Sequence, residues 1–474
     1  MTVLGLLTRF MGLENADDEA WGLAKTLTLI QCTTSFGMGI ALTFFVIFIQ
    51  ELLGNGSFVE GLTAYSFLIV IQMTVQLLLD YPTGGLGDII GQRYIVSFAL
   101  LSWGATSFTT SLLQSESAFI PLIVIHILAG VGNSFISGAA EAWFDNNYRL
   151  VATTDPNREQ YGVFRGKLFV LRNMIMTLAL VPGGLLSSLF GRRFVIQIQA
   201  YIFVLVAAAA LFLMKDLPGA HITESGESKR QEYVSVLSSG IRFLLRNRFV
   251  GFLILGTTLI MSVGTVWGEM LIYPVYFSYL VSDVNVAAFQ TALFIPETIG
   301  RERSAAISKR FEPKGWLPRS RLLQRTGFAF SLAFFGLMYL SPPSLESPLL
   351  ELKLPFTEVV LMALPEAHII PIVVMILVFV LSSVFSTLAQ VLTQRILIDA
   401  IPSEIRNSVY SLSPTLSTLF AMPMIVSVGW LVPNVGFPIA MALCAAVSLV
   451  GVLLIRRGFT YRTVGVTEVQ IEHH

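Results

Sequence analysis

Stretches of about 20 mostly apolar residues recur along almost the whole chain, and they limit what it can fold into. A helix needs roughly this length to cross a bilayer, because each residue adds about 1.5 Å. Hydrophobic residues make up 54% of the chain and charged residues only 13%, a balance that does not suit a soluble domain. We count twelve such stretches, at 26–50, 62–83, 94–113, 119–142, 166–187, 194–214, 249–272, 286–307, 322–341, 368–393, 405–431 and 435–455. The sequence therefore predicts an all-α membrane protein with twelve transmembrane helices.

The positions of the basic residues test this partition independently. Short loops on the cytoplasmic side of a membrane accumulate Lys and Arg. All but four of the 30 basic residues lie in the tails, in the even-numbered loops or near the span ends that border those loops, and the exceptions are Arg172, Arg192, Arg193 and Lys353. This distribution predicts that both termini are cytoplasmic and that the protein lies in a plasma or inner membrane.

The most polar long segment between helices divides the spans into two sets of six. We predict an N-terminal half over 1–214, which begins with an interfacial amphipathic helix, a cytoplasmic linker over 215–248, and a C-terminal half over 249–474. The loops that follow the fourth and tenth spans are weakly similar, since each has an aspartate, then a proline and a glutamate. Two six-helix halves with corresponding loops are typical of transporters built from parallel repeats.

Composition and motifs exclude several other functions. Lys+Arg and Asp+Glu are equal in number, at 30 each, so there is no basic excess for binding nucleic acid. Cys32 and Cys444 lie apart in apolar stretches, without a C-x-x-C or Cys/His cluster, and we expect neither a disulfide nor a metal site. The chain has no H-E-x-x-H, G-x-S-x-G or Gly-Lys-Ser/Thr motif, which argues against an enzyme, an ATP-driven pump or a bound cofactor.

The connection between the second and third spans carries the most distinctive motif. It reads Asp80-Tyr-Pro-Thr-Gly-Gly-Leu-Gly-Asp-Ile-Ile-Gly-Gln-Arg93. The glycines at 84, 85, 87 and 91 predict a very short, tight turn. The motif resembles the G-x-L-x-D-x-x-G-R-[RK] signature of the major facilitator superfamily, except that Gln92 replaces the first of the two basic residues. We assign the gating role of that signature to Gly85, Asp88, Gly91 and Arg93.

Two further segments, 137–145 and 401–408, are similar to corresponding parts of a poorly characterised subgroup of this superfamily. The resemblance implies the fold of that superfamily, with two six-helix halves. It also implies that the Asp88 carboxylate faces the start of the eleventh span, near Ser403 to Ser408, in one conformation only. The alternative for this loop is a tight turn with a solvated charge.

Ionisable residues inside the spans are candidates for binding a substrate or a coupling ion, because charge in the bilayer core is costly. Glu297 lies near the middle of the eighth span, and Arg301 follows four residues later on the same helical face, so the two form either a site or an internal ion pair. Arg172, in the fifth span, either pairs with Glu141 or binds an acidic substrate, and we favour the pair. Glu269 falls near the outer end of the seventh span.

His126 occupies the place in the fourth span where many proton-coupled members of the superfamily have an arginine. It is either a titrating group or a packing residue with a hydrogen bond. Asn133, Gln31 and Gln390 are neutral candidates on the same set of helices, although such residues are more often helix–helix contacts than ligands.

Together these features predict a secondary transporter that moves a small solute across the bilayer by alternating access, with protons as one candidate coupling ion. We expect a monomer. A receptor or scaffold with a transporter fold is the alternative, and the substrate and the direction of transport stay open.

Overall fold

Helices make up nearly all of the described chain, as the sequence predicts. The computed structural model describes residues 10–14, 16–115, 118–217, 238, 240–308, 310–344, 347–353 and 360–461. Its helices are α1 (Asp18–Ala41), α2 (Phe45–Leu53), α3 (Phe58–Ile90), α4 (Gln92–Leu112), α5 (Phe119–Ile136), α6 (Ala139–Val151), α7 (Glu159–Phe190), α8 (Arg192–Leu213), α9 (Arg248–Val266), α10 (Ile272–Leu280), α11 (Asp283–Ser308), α12 (Pro313–Leu323), α13 (Phe328–Leu340), α14 (Ile369–Ala400), α15 (Ser403–Val435) and α16 (Phe437–Gly458). A π-helical segment, Trp267–Leu271, joins α9 to α10.

Nine helical segments in the described part of the chain have the length and apolar character to cross a membrane, and a tenth is added if α1 and α2 form one bent span. The predicted eighth and ninth spans are not among them. The first of these corresponds to α11, which carries several charged residues, and the second to α13, which has only 13 residues. Twelve crossings therefore stay a prediction.

Two of the predicted spans are broken helices. The first consists of α1 and α2, which meet at an angle of 44°. The fourth consists of α5 and α6, which are separated at Ser137 and Gly138. Gly138 has φ +77°, a left-handed conformation that is costly for residues with a Cβ atom. The break is therefore encoded locally by this glycine.

The tight turn expected over the glycines at 84, 85 and 87 is wrong. Helix α3 continues through all three to Ile90, and the chain turns at Gly91 alone, where φ is +98°. The Gly91 N–H donates to the carbonyl oxygen of Gly87 at 3.0 Å. Glycine lowers helix propensity by only about 1 kcal/mol per residue, so a long helix with its main-chain hydrogen bonds intact tolerates several.

Two elements between the predicted spans were not expected from the sequence. Helix α12 begins with Pro313 in its first turn, a position where the missing N–H of proline costs nothing. Strands β1 (Leu349–Lys353) and β2 (Val360–Pro365) pair antiparallel, with Leu350 opposite Leu364. The described part of the chain therefore contains one two-stranded sheet besides its helices.

The chain divides into two compact units. Unit 1 comprises Met1–Gly61, Leu68–Glu224 and Val286–Thr291. Its core is formed where α1, α4, α6, α7 and α8 pack together, around buried side chains that include Trp21, Leu100, Trp143, Phe164 and Phe203.

Unit 2 comprises Leu62–Phe67, Ser225–Asn285 and Ala292–His474. A hydrophobic cluster of buried side chains joins α9, α12, α14, α15 and α16 and includes Leu253, Leu317, Leu392, Val409 and Ile455.

Two predicted segments fall largely outside the described residues. The interfacial helix expected at the N-terminus involves residues 1–9, which are outside the described part, and the chain is helical at Phe10 and Met11. Of the predicted linker over 215–248, the structure describes 215–217, 238 and 240–248, with a short helix at 240–246. The linker and the boundaries at 214 and 249 stay predictions.

Candidate functional site

The break between α5 and α6 places an acidic residue at the start of a new helix. Helix α6 begins directly after the left-handed Gly138, and Glu141 lies in its first turn. The free N–H groups at a helix N-terminus carry partial positive charge and stabilise a carboxylate there. An unbroken fourth span would have placed this carboxylate in the middle of a helix, without that stabilisation.

Glu141 is part of a polar cluster that joins three helices of unit 1. The side-chain amide of Gln31, on α1, donates to Glu141 Oε1 at 2.9 Å. Arg172, on α7, donates from Nη1 to Gln31 Oε1 at 3.2 Å, and the same nitrogen lies 3.8 Å from Glu141 Oε1. Gln31 therefore bridges the carboxylate and the guanidinium, and the favoured pairing of Glu141 with Arg172 takes this indirect form.

A second guanidinium approaches the same oxygen. Arg165 lies seven residues before Arg172, two turns earlier on α7, and its Nη2 is 3.5 Å from Glu141 Oε1. Charge-assisted hydrogen bonds are about 2.7–2.9 Å long, so neither arginine is tightly bound to the carboxylate. Arg165 Nη1 is buried and has no hydrogen-bond partner among the described residues. This cluster of Gln31, Glu141, Arg165 and Arg172, which we call the α7 cluster, therefore has unused donors.

The α7 cluster combines two basic side chains with one acidic side chain, and all three are partly exposed. The side chains of Glu141, Arg165 and Arg172 are exposed by 31%, 31% and 38%. Guanidinium groups with free donors recognise carboxylates and phosphates. Chemically, the arrangement can hold an anion between the arginines, in competition with the Glu141 carboxylate.

Two carboxylates, Asp145 and Asp155, hold the connection between α6 and α7. Asp145 forms ion pairs with Arg149 and Arg158. Asp155 accepts hydrogen bonds from the Tyr148 hydroxyl and from the backbone N–H of Tyr161, both at 2.9 Å. Burial acts to raise the pKa of Asp155, but the hydrogen bonds from Tyr161 and Tyr148 outweigh it and hold the pKa below the ordinary value. This carboxylate therefore caps the start of α7.

Unit 2 contains a second acidic and basic pair. Glu297, on α11, accepts from Arg325 Nη2 at 3.1 Å and from Arg325 Nη1 at 3.5 Å. Arg325 lies in the turn between α12 and α13, where its backbone N–H donates to Ser386 Oγ at 2.9 Å. Both side chains of the pair are partly buried. The side chain of Arg301, the partner considered from the sequence, lies outside the described residues.

Three other predicted candidates have ordinary structural surroundings. His126 is only 4% exposed, and its Nδ1 lies 2.8 Å from the carbonyl oxygen of Leu122, which is the geometry of the packing alternative. Asn133 accepts a hydrogen bond from Trp103 Nε1 at 2.9 Å, so it joins α4 to α5. Gln390 is exposed on α14.

The predicted gating motif is described only in part. The Asp88 side chain and the surroundings of Gly85 lie outside the described residues. In the signature the first glycine stands four residues before the aspartate, which is Gly84 in this sequence and not the predicted Gly85. Gly91 forms the turn. The Arg93 guanidinium stacks on the ring of Tyr94 at 4.6 Å and donates to its hydroxyl at 2.8 Å. The contact of Asp88 with the eleventh span stays a prediction.

Sequence reasoning missed several residues of these clusters. The sequence assigns no site role to Arg165, just before the predicted fifth span, or to Arg325, near the start of the ninth, although the seven-residue spacing of Arg165 and Arg172 is compatible with one helical face. Arg321, also counted as a loop residue, is 5% exposed and donates to Thr393 Oγ1 at 2.7 Å. Glu269 lies in the π-helical segment, a feature that often occurs at functional sites and has no clear signal in the sequence.

Comparisons with known proteins agree with this architecture. The structure is similar to that of a point mutant of the nucleoside transporter NupG, with a TM-score of 0.66 and 12% sequence identity over 92% of this chain and 100% of that one. It is also similar to a D-xylose-proton symporter, with a TM-score of 0.61 and 12% identity over 93% and 97% of the two chains. A transporter of the POT family in complex with 5-aminolevulinic acid gives a TM-score of 0.63 and 13% identity over 91% and 95%.

No curated protein matches the sequence. At such low identities the structural similarities establish the fold alone. The sequence itself matches the family model of the Major Facilitator Superfamily over residues 27–352, which is more than half of the chain. Together with the helical fold, this match shows that the chain belongs to the major facilitator superfamily.

Proposed function

We propose that the protein is a secondary active transporter that moves a small anionic solute together with a proton by alternating access. Family membership supports the transport class, and proteins of similar fold include a nucleoside transporter and a sugar–proton symporter. The observation that carries the substrate class is the α7 cluster, where two loosely paired arginines surround one carboxylate.

The charge of the cluster favours an anion over a neutral or cationic solute. In a region of low dielectric, an uncompensated positive charge is costly, and a bound carboxylate or phosphate would neutralise it. Arg165 Nη1 has no hydrogen-bond partner among the described residues, so the protein itself leaves part of this guanidinium unused. A cation would meet two guanidiniums at the same place and be repelled.

The proposed role of the proton is to release the arginines. While Glu141 is ionised, it attracts both guanidiniums and competes with the solute. When it accepts a proton, its charge disappears, and one anion can take its place between Arg165 and Arg172. One proton and one anion then cross together. The net charge of the cluster is the same when Glu141 is ionised and no anion is bound as when Glu141 is protonated and one monovalent anion is bound.

A ligand screen on purified protein tests the substrate class. A solute that binds only the folded state raises the apparent melting temperature. We expect stabilisation by a small carboxylate or phosphate, and none by its uncharged amide or by an amine of similar size. R165Q and R172Q should abolish this stabilisation. R149Q is the matched control, because it removes an arginine that pairs with Asp145 outside the α7 cluster.

Flux measurements test the transport class. The stabilising anion should enter proteoliposomes that contain the protein, and not liposomes that lack it. Binding without flux, in protein that is otherwise folded, would favour the receptor alternative. Binding of neutral or cationic solutes that is unaffected by R165Q and R172Q would refute the assignment of the site.

A further inference from the structure

A groove of about 420 Å³ lies at one end of α9 in unit 2, remote in sequence from the α7 cluster. It is formed where α9, α15 and the helical residues 240–246 meet. Its walls are almost entirely apolar and include Ile241, Leu244, Leu245, Phe252, Leu412 and Leu416. This volume is within the range of small-molecule sites, about 300–1,000 Å³.

Two apolar side chains of the short helix are exposed in the described protein. Leu245 is 79% exposed and Ile241 is 42% exposed. Both project from a helix whose other face carries Arg242 and Arg246. A helix with one apolar and one basic face is typical of a segment that lies in the membrane interface.

The mouth of the groove is strongly basic. Arg248 forms part of its lining, and Arg242, Arg246, Arg456 and Arg457 are exposed near the same ends of α9 and α16. Within the described part of the chain, none of these five arginines forms an ion pair with a carboxylate. This part of the surface therefore has a positive charge that no described carboxylate neutralises.

Aromatic side chains hold two of these arginines in place. The rings of Phe252 and Tyr461 are stacked, with centroids 5.4 Å apart and an interplanar angle of 6°. The Arg248 guanidinium lies 5.8 Å from the Tyr461 ring, and that of Arg457 lies 5.8 Å from the Phe252 ring. A hydrogen bond from Arg457 lowers the pKa of the Tyr461 hydroxyl, consistent with a positive local potential.

We propose that this groove binds an anionic phospholipid of the surrounding bilayer, with an acyl chain between α9 and α15 and the headgroup phosphate at Arg246 and Arg248. The occupant follows from the combination of features. An apolar groove that opens to a cluster of arginines without a carboxylate partner among the described residues, at the end of membrane helices, complements a molecule with a hydrocarbon tail and a negative head. A free phosphate ion would use the arginines and leave the groove uncovered.

The proposal can be tested by native mass spectrometry of the full-length protein. The protein is stripped of lipid in neutral detergent and titrated with palmitoyl-oleoyl phosphatidylglycerol. We expect one high-affinity lipid. R246Q/R248Q should weaken its binding by about tenfold or more, since each basic residue near a membrane surface contributes several-fold to the binding of anionic lipid. L255W, which places a large ring in the groove, should weaken it as well.

The matched control is R310Q/R395Q, which removes two exposed arginines of unit 2 that do not line the groove and should leave the affinity unchanged. Phosphatidylcholine should bind at least tenfold more weakly than phosphatidylglycerol, and glycerol 3-phosphate should not compete at the same concentration. Three results would each overturn the proposal: equal affinity for the two lipids, full competition by glycerol 3-phosphate, or an affinity that neither groove variant changes. Thermal unfolding of each variant confirms that it is folded.

Discussion

The two terminal nitrogens of Arg325 donate hydrogen bonds to the two carboxylate oxygens of Glu297, at 3.1 and 3.5 Å, although the residues are 28 positions apart. This contact joins α11 to the turn between α12 and α13. Because both side chains are partly buried, the pair is screened less than a surface ion pair.

We expect E297Q and R325Q each to destabilise the protein by about 1–2 kcal/mol, because each leaves one charge without its partner in a partly buried place. The double variant E297Q/R325Q should recover part of this loss. R325K should not restore wild-type stability, since an ammonium does not bind both oxygens in the same planar arrangement. Denaturation in mixed micelles measures the free energy of unfolding of the wild type and of the four variants. If the loss in the double variant equals the sum of the two single losses, the two residues are not coupled.

The break before Glu141 should depend on one glycine. G138A should lower the free energy of unfolding by about 1–2 kcal/mol, because alanine is strained at φ +77°. Among the described residues, no heavy atom beyond the two adjacent residues lies within 4 Å of the added Cβ, so we expect the effect to be conformational. The control is G162A, in α7, where the added Cβ also meets nothing and where a helical alanine is expected to stabilise slightly. Equal effects of the two substitutions would contradict this account.

Asp155 should contribute stability that depends on pH. Its pKa is lowered in the folded protein, so it stabilises the fold above the unfolded value of about 3.9 and loses this effect as the pH falls through the folded value. The difference in stability between wild type and D155N should therefore be largest above about pH 5 and should shrink towards pH 3. Y148F, which removes only one of the donors, should show a smaller difference. A difference that is constant across this range would rule out the carboxylate as its source.

Hydropathy predicted the all-α membrane fold, because it depends on composition within short windows. The helix breaks cannot be predicted from composition in this way. Gly138 turns the chain, whereas Gly84, Gly85 and Gly87 do not, and the difference lies in whether main-chain hydrogen bonds continue through the glycine. Composition alone does not carry that information.

The candidate sites were predicted less completely for a related reason. The sequence pointed to Glu297 and Arg172, because charge within an apolar stretch is conspicuous. It offered Arg301 as the partner of Glu297, since helical spacing identifies neighbours only on the same helix. Arg325 reaches Glu297 through tertiary packing. Helix α7 begins at Glu159, seven residues before the predicted span. Arg165 therefore lies on the helix, whereas the sequence places it in the preceding loop.

The measurement that tests the central claim most directly compares two modes of transport by E141Q in proteoliposomes loaded with the anion identified by the ligand screen. Wild-type protein should accumulate the anion when an inward proton gradient is imposed, and it should also exchange internal for external anion without a gradient. E141Q should keep the exchange and lose the accumulation, because its cluster binds the anion without taking up a proton. Accumulation by E141Q at the wild-type rate would contradict the proposed coupling, and R165Q or R172Q with full exchange would contradict the proposed site.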